Sequence, residues 1–304
     1  MATTSVHSVS STLAPLALLR TLASVFKLRI GVAVAVSAVA GALATPGVQP
    51  DLAVTLTVAL AVLLSAASAG AFNHYYERDL DQRMQRTRAR PFASGQFQAG
   101  GFWLGIIFGL LALAVTLAVV AANSLSALFV FLGAFVYGYV YTVWLKRRSV
   151  WNIVVGGLSG SFAVLAGAAA ADPALSPQAL VLALVLFLWT PPHFWSLAAA
   201  LKDDYAAAGV PMLPVVMAED RTNRIILANT LALVGSSLLP AFFGAGWPYL
   251  IAAGLGGGWF LWQSLALVYR PSRRAAMANF FASLGQLVLV LLGVVLDAAR
   301  GAGG

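Results

Sequence analysis

Apolar runs of about 20 residues recur along almost the whole chain, and they constrain its fold more than any other feature. A transmembrane α-helix needs roughly 20 mainly apolar residues, whereas the strands of a transmembrane β-barrel are shorter and alternate between apolar and polar residues. With 61% hydrophobic and 9% charged residues among 304, the sequence predicts an all-α polytopic membrane protein, with nine transmembrane helices in a bundle around a central cavity. The predicted spans are 23–44, 52–72, 101–121, 125–145, 151–171, 177–200, 225–243, 247–268 and 277–298.

The 18 basic residues are distributed so unevenly that they predict an orientation. Seventeen of them precede or open the first span, or follow the second, fourth, sixth or eighth span, and only Arg300 lies on the other side. The opposite loops carry Asp51, Asp172 and Asp297. Because loops rich in Lys and Arg stay in the cytoplasm, we expect a multi-pass protein of the inner (plasma) membrane. Its N-terminus is predicted to be cytoplasmic and its C-terminus outside. The net charge of +8 reflects this orientation and does not indicate nucleic-acid binding.

The sequence predicts one domain, covering residues 23–299, preceded by a disordered cytoplasmic tail over residues 1–22. The first 20 residues are rich in Ser, Thr and Ala, and Arg20 is their only charge. They lack the basic beginning of a secretory signal. The chain has no cysteine, which excludes disulfides, thiol catalysis and Cys-ligated metals.

Polar residues gather at the cytoplasmic end of the second span. Asn73, Glu77 and Asp81 are spaced at i, i+4 and i+8, so a helix places them on one face. Three oxygen ligands stacked in this way suit Mg²⁺, and the nearby Arg86 and Arg90 suit phosphate. A solvated loop is the alternative, but ionisable groups at membrane depth are usually functional.

A second polar cluster follows the sixth span, four spans later and on the same side of the membrane. It consists of Lys202, Asp203, Asp204 and Tyr205. Pro211 and Pro214 come soon afterwards and predict an irregular loop over the site. Two acidic clusters that face each other across a bundle could hold metal ions on one diphosphate. The spacing of the clusters also suggests a four-helix unit used twice, with one further span.

The sixth span contains the sequence Trp189-Thr-Pro-Pro-His193-Phe-Trp195. We expect the two prolines to break the backbone hydrogen-bond ladder and free carbonyls at membrane depth, which is tolerated only against protein or a cavity. His193 then lies on a cavity wall, where it is either a hydrogen-bonded core histidine or a group that meets a substrate. On the cytoplasmic side, Lys146 and Arg147 could anchor the orientation or reach a phosphate, and Lys27 and Arg29 have the same two interpretations.

These motifs together resemble those of the UbiA-type intramembrane prenyltransferase superfamily. Its first acidic motif, N-x-x-x-D-x-x-x-D, matches Asn73, Glu77 and Asp81, with Arg86 and Arg90-Pro91 following. The strings at 141–148, 189–195 and 202–214 are similar to the branch that farnesylates haem, and the likeness extends from about Lys27 to Ser283. The second motif, usually D-x-x-x-D, departs from the pattern because Leu201 and Tyr205 occupy its outer positions.

The resemblance implies an enzyme that transfers the farnesyl group of farnesyl diphosphate to a vinyl group of haem B, with addition of water, to give haem O. It implies Mg²⁺ as the cofactor, held by Asn73, Glu77 and Asp81, and haem A synthase or oxidase-assembly proteins as partners. Further catalytic candidates are Asp203, Asp204 and His193. The candidates for substrate binding are Arg86, Arg90, Lys146, Arg147, Lys202 and Tyr205, with the aromatic Tyr75, Tyr76 and Trp195 beside an allylic cation.

Three other functions fit parts of the pattern. A prenyltransferase with another acceptor, such as a quinone precursor, uses the same scaffold. A secondary transporter shares the intramembrane prolines and the internal repeat, but its site is expected near the midplane and not at one membrane face. A haem-handling assembly protein would use His193 without any chemistry, and the diphosphate-type cluster would then have no purpose.

Overall fold

The computed structural model describes residues 15–302. This part of the chain contains helices and no strands. The helices are α1 (Pro15–Val25), α2 (Leu28–Leu43), α3 (Leu52–Tyr76), α4 (Arg78–Asp81), α5 (Gly101–Ala121), α6 (Ser124–Phe135), α7 (Asn152–Gly156), α8 (Leu158–Ala171), α9 (Pro177–Ala200), α10 (Lys202–Ala207), α11 (Leu213–Val216), α12 (Glu219–Leu238), α13 (Trp247–Tyr269) and α14 (Arg273–Ala302). A π-helix (Val136–Leu145) continues α6, and a 3₁₀ turn (Leu239–Phe243) continues α12.

The predicted number of membrane spans is confirmed. Eight helical segments of the described chain are long and apolar enough to cross a membrane, and α1 with α2 provides a ninth, bent by 54° at its break. The first span therefore differs from the straight helix expected over 23–44. Residues 1–14 of the predicted disordered tail lie outside the described residues, and residues 15–22 are helical.

Side-chain caps begin several spans at the end opposite the polar clusters. Asp51 accepts a hydrogen bond from the backbone N–H of Val54, three residues into α3, at 2.9 Å. Asn123 caps α6 in the same way at 2.9 Å, and Ser176 caps α9 at 3.1 Å. Each cap satisfies a backbone donor that the first turn leaves free and contributes about 1 kcal/mol. These short polar residues separate consecutive apolar runs.

Small residues allow α2 and α8 to pack closely. A Cβ atom on Gly41 would overlap the backbone carbonyl of Val164, and one on Gly167 would overlap the carbonyl of Ala38. Membrane helices associate through such close backbone approach, because lipid tails are as apolar as the helix surfaces. Both glycines are therefore required by the crossing of the two helices.

The spans surround a cavity, as predicted, and they form two groups. The first group contains α2, α3, α5, α6 and α8, and the second contains α9, α12, α13 and α14. The groups meet where α9 packs against α8 and where α14 packs against α2. A cavity of about 410 Å³ lies between them, lined from the first group by Val34, Ala66 and Gly133 and from the second by Leu186 and Leu287.

Pro191 and Pro192 interrupt the hydrogen-bond ladder of α9 without ending the helix. Helix α9 is continuous from Pro177 to Ala200, with both prolines inside it. Neither proline can donate to the carbonyl four residues earlier, so the helix keeps its path without those two hydrogen bonds. The hydroxyl groups of Thr190 and Ser196 donate to carbonyls one turn earlier, at 3.0 and 2.6 Å. The loop expected at Pro211 and Pro214 contains the short α11, with Pro214 in its first turn, where proline is tolerated.

Candidate active site

Asn73, Glu77 and Asp81 share one helical face, as their spacing predicts. The backbone N–H of Glu77 donates to the Asn73 carbonyl at 2.9 Å, and the N–H of Asp81 donates to the Glu77 carbonyl at 2.8 Å. These i to i+4 hydrogen bonds continue the helical path across the junction of α3 and α4. All three side chains are at most 2% exposed. We refer to Asn73, Glu77 and Asp81 as the oxygen stack.

Each member of the oxygen stack contacts a basic side chain from another segment. Burying a carboxylate costs several kcal/mol unless it is paired and hydrogen-bonded, and each side chain here has such a partner. The contacts are Lys27 Nζ to Asn73 Oδ1 at 2.6 Å, Lys146 Nζ to Glu77 Oε2 at 2.5 Å, and Arg90 Nη1 to both carboxylate oxygens of Asp81 at 2.9 Å. The stack and the three basic groups thus form one charged cluster, in which two carboxylates face three cations.

Lys27 reaches the cluster because the first span is broken. Its backbone adopts the left-handed conformation, with φ 49° and ψ 41°, which is unfavourable for a residue other than Gly and occurs mainly at functional sites. From this position Lys27 Nζ also donates to the Tyr137 hydroxyl at 2.8 Å. A Cβ atom on Gly70 would approach the Lys27 side chain at 3.2 Å, so Gly70 provides the space for it.

The π-helix that ends the fourth span brings three more side chains to the cluster. The backbone N–H of Lys146 donates to the carbonyl of Tyr141, five residues earlier, at 2.9 Å. Such wide turns are rare and frequent at functional sites. Tyr137 and Tyr141 stack with ring centroids 5.4 Å apart, and the Thr142 hydroxyl accepts from Asn73 Nδ2 at 3.1 Å. Tyr137 and Tyr141 are not among the site residues predicted from the sequence, although their i, i+4 spacing ahead of Lys146 was a usable signal.

The oxygen stack fits a hard divalent cation. Its donors are one amide oxygen and two carboxylates, and Glu77 Oε1 is buried without a hydrogen-bond partner among residues 15–302. A buried polar atom without a partner is costly and indicates a missing ligand or water. No group of three or more His, Asp or Glu side chains in the described chain could hold a metal. A cation at the stack therefore needs further oxygens from water or phosphate, as Mg²⁺ commonly does.

Part of the second cluster contacts the segment that follows the oxygen stack. The Asp204 carboxylate accepts from the backbone N–H groups of Gln85 and Arg86 at 3.0 and 3.3 Å. Tyr205 is buried, and its hydroxyl accepts from Arg86 Nη2 at 3.5 Å. Burial raises the pKa of the Tyr205 phenol, so this hydroxyl stays neutral. The structure thus brings together two acidic regions that are 119 residues apart.

Three of the predicted site residues lie outside this contact network. Lys202, Asp203 and Arg147 are exposed, and none has a side-chain hydrogen bond or ion pair with another described residue. The geometry therefore favours Asp204 and Tyr205 over Lys202 and Asp203 within the second cluster. On the basic side it favours Lys146 over Arg147.

The cavity extends from the cluster into the apolar bundle. Lys27 and Arg29 lie at its mouth. Its volume of about 410 Å³ is within the range of roughly 300–1,000 Å³ typical of small-molecule sites. Its aromatic lining residues are Phe129, Tyr137, Tyr141, Trp189 and Phe194. The arrangement places charge at one end of an apolar chamber with aromatic walls.

The prediction that Tyr75, Tyr76 and Trp195 line this chamber is wrong. Tyr76 is 38% exposed and stacks on Phe72, one turn earlier. Tyr75 packs edge-on against Phe92. Trp195 packs in a separate core with Leu80 and Met84. It follows His193 by two residues, and side chains two positions apart on a helix point in nearly opposite directions.

His193 lines the chamber, as predicted for a cavity-wall residue. Its ring is stacked between Trp189 and Phe280, with centroids 4.1 and 4.5 Å away. Its Nδ1 atom lies 2.7 Å from the Ser283 hydroxyl. His74, the other histidine of the described chain, is buried beside Asn73, and its Nδ1 atom has no partner among residues 15–302.

Comparison with known proteins identifies the family. Residues 34–285 match the model of the UbiA prenyltransferase family. The chain is 72% identical over 279 residues to protoheme IX farnesyltransferase 2 of Paramagnetospirillum magneticum, covering 92% of this chain and 97% of that one. It is 48% identical to protoheme IX farnesyltransferase 1 of the same organism, covering 89% and 95% of the two chains.

Solved structures share the fold at low sequence identity. A structure of digeranylgeranylglyceryl phosphate synthase matches with a TM-score of 0.72 and 18% identity, over 93% of this chain and 99% of that one. A UbiA homologue from Archaeoglobus fulgidus bound to DMAPP and Mg²⁺ matches with a TM-score of 0.66 and 14% identity, over 89% and 99%. The resemblance seen in the sequence is confirmed, and the chain is a multi-span membrane enzyme that belongs to the UbiA prenyltransferase family.

Proposed function

We propose that this enzyme transfers the farnesyl group of farnesyl diphosphate to a vinyl group of haem B, with addition of water, to give haem O. The observation that carries the proposal is the charged cluster, which meets the apolar chamber through Lys27. A prenyl diphosphate has this same division between a charged head and a long apolar tail. The acceptor is supported by the names of the two relatives from Paramagnetospirillum magneticum, which are 72% and 48% identical.

Three basic side chains are available to the diphosphate. Lys27, Lys146 and Arg90 each contact a different member of the oxygen stack at 2.5–2.9 Å, so three positive charges lie along the stack. Fixed positive charge aimed at a leaving group stabilises the charge that develops as its bond breaks. Arg86 is exposed at the same end and held by its contact with Tyr205. It adds a charge on the outer side of the mouth.

Mg²⁺ is the cofactor we propose for the oxygen stack. Asn73 Oδ1 and the carboxylates of Glu77 and Asp81 would hold it, and Glu77 Oε1 is free for this role among the described residues. When bound, the ion supplies Lewis-acid stabilisation of the diphosphate. Chelation with EDTA is expected to abolish product formation, and added Mg²⁺ is expected to restore it. Full turnover of carefully chelated enzyme would remove the metal from the account.

The chamber is suited to an allylic cation. The C–O bond of farnesyl diphosphate breaks, the diphosphate leaves with the electron pair, and the farnesyl group becomes electron-poor. The faces of Tyr137 and Tyr141, both on the chamber wall, stabilise positive charge through their ring quadrupoles. Few polar groups line the deeper chamber, so water that would intercept the cation is scarce there.

The vinyl group of haem B then supplies the electrons for the new bond. Its terminal carbon bonds to the farnesyl carbon that lost the diphosphate, which leaves a cation on the carbon next to the porphyrin. Water adds to that carbon and releases one proton. The product carries one farnesyl group and one hydroxyl group more than haem B, and diphosphate is the second product.

The orientation predicted from the basic residues places this site at the cytoplasmic face of the inner membrane. The cluster lies at the end of the bundle where 17 of the 18 basic residues are found, with the N-terminus cytoplasmic and the C-terminus outside. We propose haem A synthase or oxidase-assembly proteins as partners, since haem O is poorly soluble in water and needs a receiving protein. Labelling of single cysteines placed at Ser94 and at Gln49 from outside intact cells tests the orientation, with labelling expected only at Gln49.

A comparison of acceptors tests the reaction. Membranes containing the full chain are incubated with farnesyl diphosphate and either haem B or an aromatic quinone precursor. Diphosphate release and a farnesylated product are expected only with haem B. Product formation with the quinone precursor alone would replace the haem assignment with another acceptor. No product with either acceptor, together with uptake of a solute into proteoliposomes, would favour a transporter.

A further inference from the structure

Ser283 fixes which nitrogen of His193 carries a proton. The Ser283 hydroxyl donates its only hydrogen to the carbonyl of Phe280 at 2.6 Å. The same hydroxyl oxygen lies 2.7 Å from His193 Nδ1. With the hydroxyl hydrogen directed at this carbonyl, the oxygen accepts from the ring, and we assign the imidazole proton to Nδ1 on this geometry. In a neutral imidazole the other nitrogen, Nε2, then has a free lone pair.

The free lone pair of His193 belongs to a ring that lines the chamber. Among residues 15–302 no group donates a hydrogen bond to Nε2, whereas the ring itself is 6% exposed and forms part of the chamber wall. Trp189 and Phe280 sandwich the ring at 4.1 and 4.5 Å, with interplanar angles of 21° and 28°. Phe194 adds an edge contact at 4.9 Å. Rotation of the ring is therefore blocked, and its nitrogen is held in one direction.

The surroundings of His193 favour a metal ligand over a proton carrier. Besides Ser283, the aromatic Trp189, Phe194 and Phe280 pack on the ring. No carboxylate in this part of the chain contacts the ring to stabilise a charged imidazolium. A neutral imidazole whose other nitrogen donates to a fixed acceptor is the arrangement by which proteins ligate metals. Haem iron is commonly bound by such a histidine.

The chamber is also accessible from the side near His193. Two of its lining residues reach the outer surface, Ile30 of α2 at 60% exposure and Leu284 of α14 at 37%. Leu284 follows Ser283 directly, so the opening lies beside the residue that orients the histidine. A flat apolar macrocycle dissolved in the bilayer would reach the chamber at these exposed residues, of which Ile30 directly follows Arg29 at the charged mouth.

We propose that His193 binds the iron of the acceptor porphyrin through Nε2, with Ser283 as the positioning residue. This inference rests on the proposed function, since it takes haem as the acceptor. Ligation at His193 anchors the macrocycle in the chamber whose mouth holds the diphosphate. It also explains why Trp189 and His193, one turn apart, both hydrogen-bond to Ser283, the former through the Ser283 carbonyl at 2.7 Å.

Spectroscopic titration of the purified full chain with haem B, without farnesyl diphosphate, tests this ligation. Wild-type protein is expected to bind haem with the absorption spectrum of a histidine-ligated iron. His193→Ala is expected to lose that spectrum and to bind haem at least roughly tenfold more weakly. Added imidazole restores the spectrum in His193→Gly. Iron-free protoporphyrin is expected to bind wild type and His193→Ala equally, because it has no metal to ligate.

Ser283→Ala separates orientation from packing. The hydrogen bond from Trp189 uses the backbone of Ser283 and survives the substitution, so the helix contact is retained. We expect haem affinity to fall by roughly tenfold. Removing the hydrogen-bond partner of a metal-ligating histidine typically lowers affinity by about 10- to 100-fold. Ser161→Ala is the matched control, since it removes another buried interspan hydroxyl, bonded to Ala183 at 2.8 Å, and should leave the spectrum unchanged.

The outcomes separate this inference from the proposed function. If wild type and His193→Ala give the same iron spectrum and affinity, or if the spectrum depends on His74 instead, the ligation is overturned while the haem acceptor stands. An equal loss of affinity for iron-free protoporphyrin would also overturn it, because His193 would then act by packing alone. If wild-type protein binds no haem, both the ligation and the acceptor assignment fail.

Discussion

Lys146 and Glu77 form an ion pair at 2.5 Å between side chains that are 12% and 0% exposed, although 69 residues separate them in the chain. The pair joins the end of the fourth span to the end of the second. It depends on the wide π-helical turn before Lys146, which directs the side chain towards α3. The position of the oxygen stack and its basic partners therefore follows from irregular helix geometry as well as from the acidic motif.

Asp81→Asn should abolish most of the activity. The substitution keeps the size of the side chain but removes the charge that pairs with Arg90 and that would hold the metal. We expect turnover of farnesyl diphosphate at saturating Mg²⁺ to fall by at least about 100-fold, the scale seen when one electrostatic group is removed from a site. Asp79→Asn is the control, because Asp79 is 71% exposed and faces away. Near-normal turnover of Asp81→Asn would remove this residue from the mechanism.

Lys27→Met should also reduce activity strongly. It removes two hydrogen bonds from a charged donor, to Asn73 and Tyr137, each worth about 1.5–3 kcal/mol. Loss of one such contribution in the transition state corresponds to roughly 10- to 100-fold in rate. Steady-state kinetics of diphosphate release checks this, with Arg20→Met as the control at an exposed position of α1. Equal losses of activity in Lys27→Met and Arg20→Met would mean that removing any positive charge lowers the activity, and that the contacts of Lys27 are not responsible.

Asp204→Ala should weaken substrate binding more than Asp203→Ala. The Asp204 carboxylate caps two backbone N–H groups at the segment that carries Arg86. A capping carboxylate contributes about 1 kcal/mol, so we expect the KM for farnesyl diphosphate to rise by roughly fivefold. Asp203 is exposed, and its substitution should have the smaller effect. A larger rise in KM with Asp203→Ala than with Asp204→Ala would contradict the ranking of the two carboxylates by their contacts.

Gly41→Ala should destabilise the fold without touching the site. The added Cβ would overlap the backbone of Val164 where α2 crosses α8, and such overpacking costs about 1–3 kcal/mol. Thermal unfolding in detergent is expected to show a lower midpoint for Gly41→Ala. Gly105→Ala adds the same methyl group where no atom lies within 4 Å, so its midpoint should not fall. Equal midpoints for both variants would contradict the close crossing.

The sequence predicts well those features that depend on local periodicity. Nine spans and the common face of Asn73, Glu77 and Asp81 follow from hydrophobic runs and from i, i+4 spacing, which need no knowledge of distant contacts. The partners of that face were less predictable, because Lys27 depends on a left-handed residue in a broken span and Tyr137 on a π-helix. Trp195 was misassigned because the motif was interpreted as a unit, whereas helix geometry separates it from His193.

Mass spectrometry of haem extracted from cells that express this chain with a supply of haem B tests the central claim most directly. The account predicts haem with one added farnesyl group and one added hydroxyl group in cells with the wild-type chain, and haem B alone in cells with Asp81→Asn at equal expression. Unmodified haem B in both cultures, or the same adduct in both, would contradict it.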